Sequence, residues 1–153
     1  AVVDKLFDAI KPDKAYFGAK DLQQVAVVQK MAQIRYPNIE IVSCELIRDS
    51  KGLALSSRNI RLTNQGVKQA LKLSFALSKV VEKISAGESE KTAVDAARNE
   101  LKEYDEIDLE YFNGVNFHTF SHEDKPFEWS HIVVAANVDG VRLIDNIELE
   151  VVD

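Results

Sequence analysis

The sequence predicts an α/β opening followed by a small α+β unit. Three observations carry that prediction. Helical and strand patterns alternate over residues 1–46, two long helical patterns then follow one another, and an Asp-Gly pair separates the last two strand patterns. Alternating helix and strand places neighbouring strands parallel, joined by a crossover helix. Consecutive helices followed by consecutive strands segregate into layers instead.

Taken in order, Val2, Val3, Leu6, Phe7 and Ile10 follow helical spacing, and Lys11-Pro12-Asp13 stops that helix. Ala15-Tyr16-Phe17 is a short apolar run ending at Gly18, which predicts a buried strand. From Asp21 to about Arg35, helical spacing returns through Val25, Val28, Met31, Ala32 and Ile34, and Tyr36-Pro37-Asn38 breaks it. Ile39 to Leu46 is rich in β-branched residues and predicts a second strand. Arg48 to Arg61 is polar, contains Gly52 and reads as a long loop.

Thr63 is placed to cap a helix running to about Ser85, with Val67, Leu71, Leu77, Val81 and Ile84 on one face. Gly87 stands where a C-terminal capping glycine belongs. Ser89 is placed to cap a second helix that turns Ala93, Ala96, Ala97, Leu101 and Tyr104 inward. Strands are predicted over Ile107–Phe112, His131–Val138 and Val141 to about Val151, with Asp139-Gly140 as a two-residue hairpin turn.

Two unlike pieces are therefore expected, residues 1–46 and 47–153. The first holds only two strands, too few for a parallel sheet whose faces must both be covered. The chain begins at Ala1 directly in a helical pattern, and its one Met is Met31. Both features lead to the expectation that the chain is part of a longer polypeptide.

Composition narrows the function classes. With 153 residues, 46% of them hydrophobic, the chain is long enough for a core without disulfide or metal staples. There are 19 basic and 25 acidic residues, a formal net charge of -6, which argues against general binding to nucleic acid or anionic membrane. The longest apolar runs, such as Val25–Val28 and Ile132–Ala136, are far too short for a bilayer span. The single cysteine, Cys44, cannot form an internal disulfide and fits a cytoplasmic location, as a buried strand thiol.

Two strings can carry chemistry. In Phe17-Gly18-Ala19-Lys20-Asp21-Leu22-Gln23-Gln24 a strand ends, a glycine permits a tight turn and a helix begins. The carboxyl end of a parallel strand is where open α/β sheets bind ligands, and a helix N-terminus faces anions there. Lys20 adds a full positive charge, Asp21 can accept from ribose hydroxyls, and Gln24 lies one turn further on. The plain alternative is a capped helix with solvated polar residues. In Leu53-Ala54-Leu55-Ser56-Ser57-Arg58-Asn59, two hydroxyls and a guanidinium follow a Gly-containing loop. That set can ligate a polyphosphate, with Arg gripping two oxygens at once. Its plain alternative is a capping turn.

Together the strings are specific. With Lys5-Leu6-Phe7, Ala15-Tyr16-Phe17-Gly18, Lys20-Asp21, Gln23-Gln24, Gly52-Leu53-Ala54, Ser56-Ser57-Arg58-Asn59 and Arg142-Leu143-Ile144-Asp145-Asn146, the chain resembles the pantoate–β-alanine ligase (pantothenate synthetase) family. The resemblance implies a fold: the end of a Rossmann-like nucleotide-binding domain over 1–46, then a C-terminal lid domain over 47–153 with two helices and a three-stranded antiparallel sheet. It also implies a reaction of pantothenate and coenzyme A biosynthesis. ATP, with Mg2+, adenylates pantoate and releases pyrophosphate; β-alanine then attacks the pantoyl adenylate, giving pantothenate and AMP.

The family's residue roles, carried over by resemblance, put Gly18 and Asp21 at the nucleoside and the Ile47 backbone beside adenine. Lys20, Ser56, Ser57 and Arg58 hold the phosphates and do the catalytic work, and Gln24 hydrogen-bonds pantoate. No resident metal site, nucleic acid or membrane is implied. A homodimer is expected.

The departures are informative. The family's early His-x-Gly-His phosphate motif has no counterpart, since the histidines are His118, His122 and His131. The chain is therefore expected to correspond to the C-terminal portion of the enzyme and to be inactive alone. Ala19 and Ser50-Lys51 stand where the family usually carries acidic residues, and Asn113–Trp129 matches no family segment. His118 and His122 have a zinc-compatible spacing if helical, but Asn113-Gly114 and Pro126 make that segment loop-like. Phe112, Phe117, Phe120, Phe127 and Trp129 are expected in the core or at a subunit contact. Two alternatives stay open: another adenylate-forming nucleotidyltransferase, and an inactive self-associating module.

Overall fold

The computed structural model describes residues 2–121 and 125–149. The chain divides into two compact units, Ala1–Leu46 and Ile47–Asp153.

In the first unit, helix α1 (Val2–Ile10) leads to strand β1 (Lys14–Gly18), a short 3-10 turn (Ala19–Asp21), helix α2 (Leu22–Arg35) and strand β2 (Glu40–Cys44). The strands pair parallel, Lys14 opposite Glu40 through to Gly18 opposite Cys44. Parallel pairing requires a crossover, and α2 supplies it. The buried set is Phe7, Leu22, Val25, Val28 and Ala32. Met31 is only half-buried and Ile34 is exposed, so the inward stripe of α2 is narrower than its spacing predicts. Phe7 meets Tyr36 edge-to-face, with ring centroids 5.5 Å apart. Beside it, Asp4 pairs with Arg35 and accepts from the Tyr36 hydroxyl at 2.9 Å. These hydrogen bonds, Arg35's first, hold the Asp4 carboxyl below its ordinary range. The cluster ties α1 to the far end of α2.

β2 is shorter than predicted and ends at Cys44, whose thiol is exposed, not buried. No residue of β1 or β2 is fully buried.

In the second unit, a loop and a 3-10 turn (Ser57–Arg61) lead to helices α3 (Asn64–Ser85) and α4 (Glu90–Lys102). Strands β3 (Ile107–Val115), β4 (His131–Val138) and β5 (Val141–Glu148) complete it. The caps fall where the sequence puts them. Thr63 accepts from the Gly66 N–H at 3.0 Å and Ser89 from the Thr92 N–H at 3.3 Å. At the end of α3, Glu88 N–H donates to Lys83 O and Gly87 N–H to Ile84 O, a Schellman arrangement.

The strands form an antiparallel sheet in the order β3-β4-β5. Asp139 and Gly140 both have positive φ, 55° and 72°, as a two-residue hairpin turn matched to strand twist requires. β3 runs three residues past its predicted end, with an irregularity between Leu109 and Tyr111. β5 ends at Glu148; Val151 lies outside the described residues.

One face of the sheet is covered by the helices. α4 packs on β3, and α3 packs on α4, β4 and β5. Leu73, Leu77, Val80, Val94, Leu101, Phe112, Ile132, Val134 and Val138 form the heart of this core. The buried stripe of α3 is rotated from the predicted one: Ala70, Leu73, Leu77 and Val80 are buried, whereas Val67, Leu71, Val81 and Ile84 are half-buried. On α4, Val94 is buried and Ala96 is not. Trp129 lies against Gly114 so closely that a Cβ there would come within 1.9 Å of the ring. Phe127, expected in the core or at a subunit contact, is 73% exposed and so is not a core residue.

Candidate active site

In the first unit the candidate residues gather at the carboxyl end of β1. Gly18 closes the strand, Lys20 and Asp21 occupy the 3-10 turn, and Gln24 is exposed in the first turn of α2. Gly18 has φ -71° and ψ 130°, an extended conformation open to any residue. A Cβ built on it meets nothing within 4 Å. The turn therefore does not need glycine, contrary to the expectation of a tight bend. What the missing side chain leaves is open backbone at the strand end.

Asp21 occupies the position before α2, yet its side chain makes no capping hydrogen bond. Its carboxylate instead lies 3.5 Å from the ammonium of Lys20, whose side chain is only 20% exposed. Of the plain alternative, the side-chain cap is absent, while Asp21, Gln23 and Gln24 are exposed polar residues as it has them. A cation and a carboxylate stand side by side at a helix start, where backbone N–H groups and the helix dipole favour an anion.

In the second unit, the polar stretch after Ile47 is more ordered than a long loop. Arg48 and Ala54 form an antiparallel bridge around a tight turn. Asp49 accepts from Lys51 N–H and Leu53 N–H at 2.8 and 2.9 Å. These bonds, Leu53's first, hold its carboxyl below the ordinary range. Ile47 is 67% exposed, and its carbonyl accepts from Leu55 N–H at 2.9 Å. Leu53 and Ala54 are buried and root the turn in the core.

Ser56, Ser57 and Arg58 follow at once. Ser56 Oγ accepts from Arg58 N–H at 3.2 Å, and the Asn59 amide donates to Ala54 O at 2.9 Å. Ser57 and Arg58 are exposed. The Arg58 guanidinium donates to the carbonyl of Arg142 on β5 at 3.2 Å. Arg142 in turn grips Glu110 on β3 with two nitrogens, which lowers the Glu110 carboxyl.

Arg48 is the residue that sequence reasoning missed. Its guanidinium donates to both carboxylate oxygens of Asp145, at 2.7 and 2.9 Å, and to the carbonyls of Gly52 and Asn146, each at 3.0 Å. Strand alternation puts Asp145 on the core side with Val141 and Leu143, and it is 6% exposed. A carboxylate so buried needs a partner. The two residues are 97 positions apart, so no local pattern announces them.

Among the described residues, no group of three or more His, Cys, Asp or Glu side chains could hold a metal ion. His118 sits in a turn, not a helix, and His122 lies outside the described residues. His131 packs on Phe117 and shares a 3.0 Å hydrogen bond with the Ser130 hydroxyl. No helix among the described residues is long and apolar enough to cross a membrane.

Comparison with known proteins agrees with the motifs. The family model described as pantoate-beta-alanine ligase matches residues 1–148. A pantothenate synthetase of Ruegeria pomeroyi is 42% identical over 146 residues, covering 95% of this chain and 51% of the relative. The crystal structure of pantothenate synthetase from Thermus thermophilus superposes with TM-score 0.87 at 34% identity, covering 97% of this chain and 54% of that one. Pantoate-beta-alanine ligase from Francisella tularensis, complexed with beta-gamma ATP and beta-alanine, matches at TM-score 0.65 and 27% identity, over 98% of this chain and 49% of that one. The chain spans about half the length of the relatives it matches. With its family model matched over nearly every residue, the chain belongs to the pantoate-beta-alanine ligase family.

Proposed function

We propose that the protein carrying this chain joins pantoate to β-alanine with ATP as the activating substrate. A pantoate carboxylate oxygen attacks the α-phosphorus, the bond to the β-phosphate breaks and pyrophosphate leaves. The β-alanine amine then attacks the acyl carbon, displacing AMP and shedding a proton. Both partners of the first step are anions, so the work lies in positioning and in neutralising charge. Lys20, Ser56, Ser57 and Arg58 would do this at the phosphates. Gly18 and Asp21 would meet the nucleoside, the Ile47 backbone the adenine, and Gln24 pantoate. In this reading both sets act on one ATP, with residues 1–46 as nucleotide-binding domain and 47–153 as lid.

The observation that carries the reading is the turn after β1. Gly18 is not demanded by its backbone angles, and Asp21 does not cap α2. Backbone strain does not explain Gly18 and capping does not explain Asp21, whose carboxylate stands beside Lys20, in a chain of this family. Mg2+ binds mainly through phosphate oxygens and water in such reactions, so it would enter as the magnesium complex of ATP and needs no all-protein cage. The Francisella tularensis relative was complexed with an ATP species and β-alanine, which supports both as substrates.

The same reading includes a cytoplasmic homodimer. Among the described residues β1 and β2 pair only with each other, which leaves their outer edges for pairing elsewhere. It also holds that catalysis requires the His-x-Gly-His motif that this chain lacks, so the chain alone would be inactive.

The test is exchange of labelled pyrophosphate into ATP by the full-length protein. Exchange is expected with pantoate and not with other small carboxylates, and β-alanine should convert the intermediate to AMP. Exchange driven equally by an unrelated carboxylate would overturn the substrate assignment.

A further inference from the structure

We infer that the Arg48–Asp145 pair is a positioning device that sets the Ser56-Ser57-Arg58 turn on strand β5. The inference rests on the reading of that turn as a phosphate grip, and names what holds it in place.

The turn is a short 3-10 turn capped by Ser56, and its internal bonds shape it without fixing where it lies on the sheet. Ser57 and Arg58 are exposed, and Ser56 Oγ bonds locally to the Arg58 N–H. Its placement must come from what precedes it. There, Arg48 makes four hydrogen bonds: two to Asp145, one to the Asn146 carbonyl and one to the Gly52 carbonyl. One guanidinium thus clamps the tip of the 48–54 turn and the middle of β5 together. The Arg48–Ala54 bridge and the Asn59 bond to Ala54 O carry that register forward to Ser56. Arg58 returns to the same strand through the Arg142 carbonyl. β5 therefore anchors the turn at both ends, through Asp145 and through Arg142.

The planar fork explains why arginine stands at position 48. Its nitrogens satisfy a carboxylate and two carbonyls at once, which an ammonium cannot do. The buried carboxylate explains how a structural and a positioning role can be separated. Removing one partner of a buried pair leaves an uncompensated charge, whereas replacing both by apolar residues can restore stability.

The experiment uses the full-length protein with Arg48→Met, Arg48→Lys and the double change Arg48→Met with Asp145→Leu. Thermal melting is read beside the KM values for ATP and pantoate in pyrophosphate exchange. In the double variant, melting is expected to return towards that of the unaltered protein. The KM for ATP should stay about tenfold or more above it, because a displaced ligand set is not repaired by apolar packing. The KM for pantoate should not move. Recovery of the ATP KM together with melting would overturn the inference. Should Arg48→Met or the double variant fail to fold, Arg48→Lys decides. A raised ATP KM in a folded Arg48→Lys protein supports the device, and an unchanged one overturns it. Failure of the underlying reading looks different: the unaltered protein shows no pantoate-dependent exchange, or Arg58→Ala exchanges at full rate.

Discussion

The two units present candidate residues in the same way, on short 3-10 turns, but they are built very differently beneath. The second unit covers one face of a three-stranded sheet with two helices and encloses a continuous core around Phe112, Leu77 and Ile132. Among the described residues the first has five buried apolar residues and a two-stranded sheet with no fully buried residue. A parallel pair exposed in this way gains little from burial, since parallel sheets depend on cover over both faces. Val2, Leu6 and Ile10, at four-residue spacing on α1, are exposed as well. Within these residues, one turn is rooted in a continuous core and the other borders the smaller buried set that includes Leu22 and Val25.

That contrast can be broken most sharply by truncating the central side chain of each unit. Phe112→Ala should cost about 3–5 kcal/mol, as for large core truncations generally, read by urea unfolding. Phe7→Ala should leave hydrogen exchange in β4 and β5 unchanged while α1 loses protection. Equal loss of protection in both units after Phe7→Ala would contradict the contrast. Next in size is Gly114→Ala, which must push Trp129 aside. Overpacking of this kind costs about 1–3 kcal/mol, and a shift in tryptophan fluorescence should accompany it, because Trp129 is the one tryptophan. Thr63→Ala removes the cap of α3 and should cost about 1 kcal/mol, read as a lower melting temperature of the second unit.

The smallest effect is a pH dependence confined to the second unit. Burial lowers the His131 imidazole below its ordinary value, with His118 adding to this and Glu148 opposing it. The unfolded chain then holds more protons than the folded one between the two titrations, so stability rises with pH there. It should be complete above about pH 7.5 and fall as pH drops towards about 5.5, through the ordinary imidazole range. His131→Gln should flatten the melting temperature across that window. An unchanged slope would assign the dependence elsewhere.

Much of this is legible in the residues, where the signal is local. Thr63 and Ser89 cap the helices they precede, and Asp139-Gly140 makes the turn its residue types demand. The order of elements follows from periodicity and turn chemistry, whereas the roles given to the two motif strings come from the family resemblance alone. What escapes depends on partners remote in sequence. The buried stripe of α3 is rotated because the helix meets α4, β4 and β5 together, and a one-sided apolar pattern cannot say which of two adjoining rows faces them. Arg48 reads as one polar loop residue among several because Asp145 lies on the last strand. Cys44 reads as buried because a β-branched run implies cover that the two-stranded sheet does not supply.

The proposed function has residues of both units act on one ATP. Pantoate-dependent AMP formation by the full-length protein tests it most directly, with Lys20→Ala in the first unit and Arg58→Ala in the second. Each substitution is expected to lower kcat/KM by about 100-fold or more, the usual cost of removing a preorganised donor from developing charge. Melting temperatures should stay within about 2 °C of the unaltered protein, because the Lys20 and Arg58 side chains lie outside the apolar cores. Full activity in either variant would contradict the account.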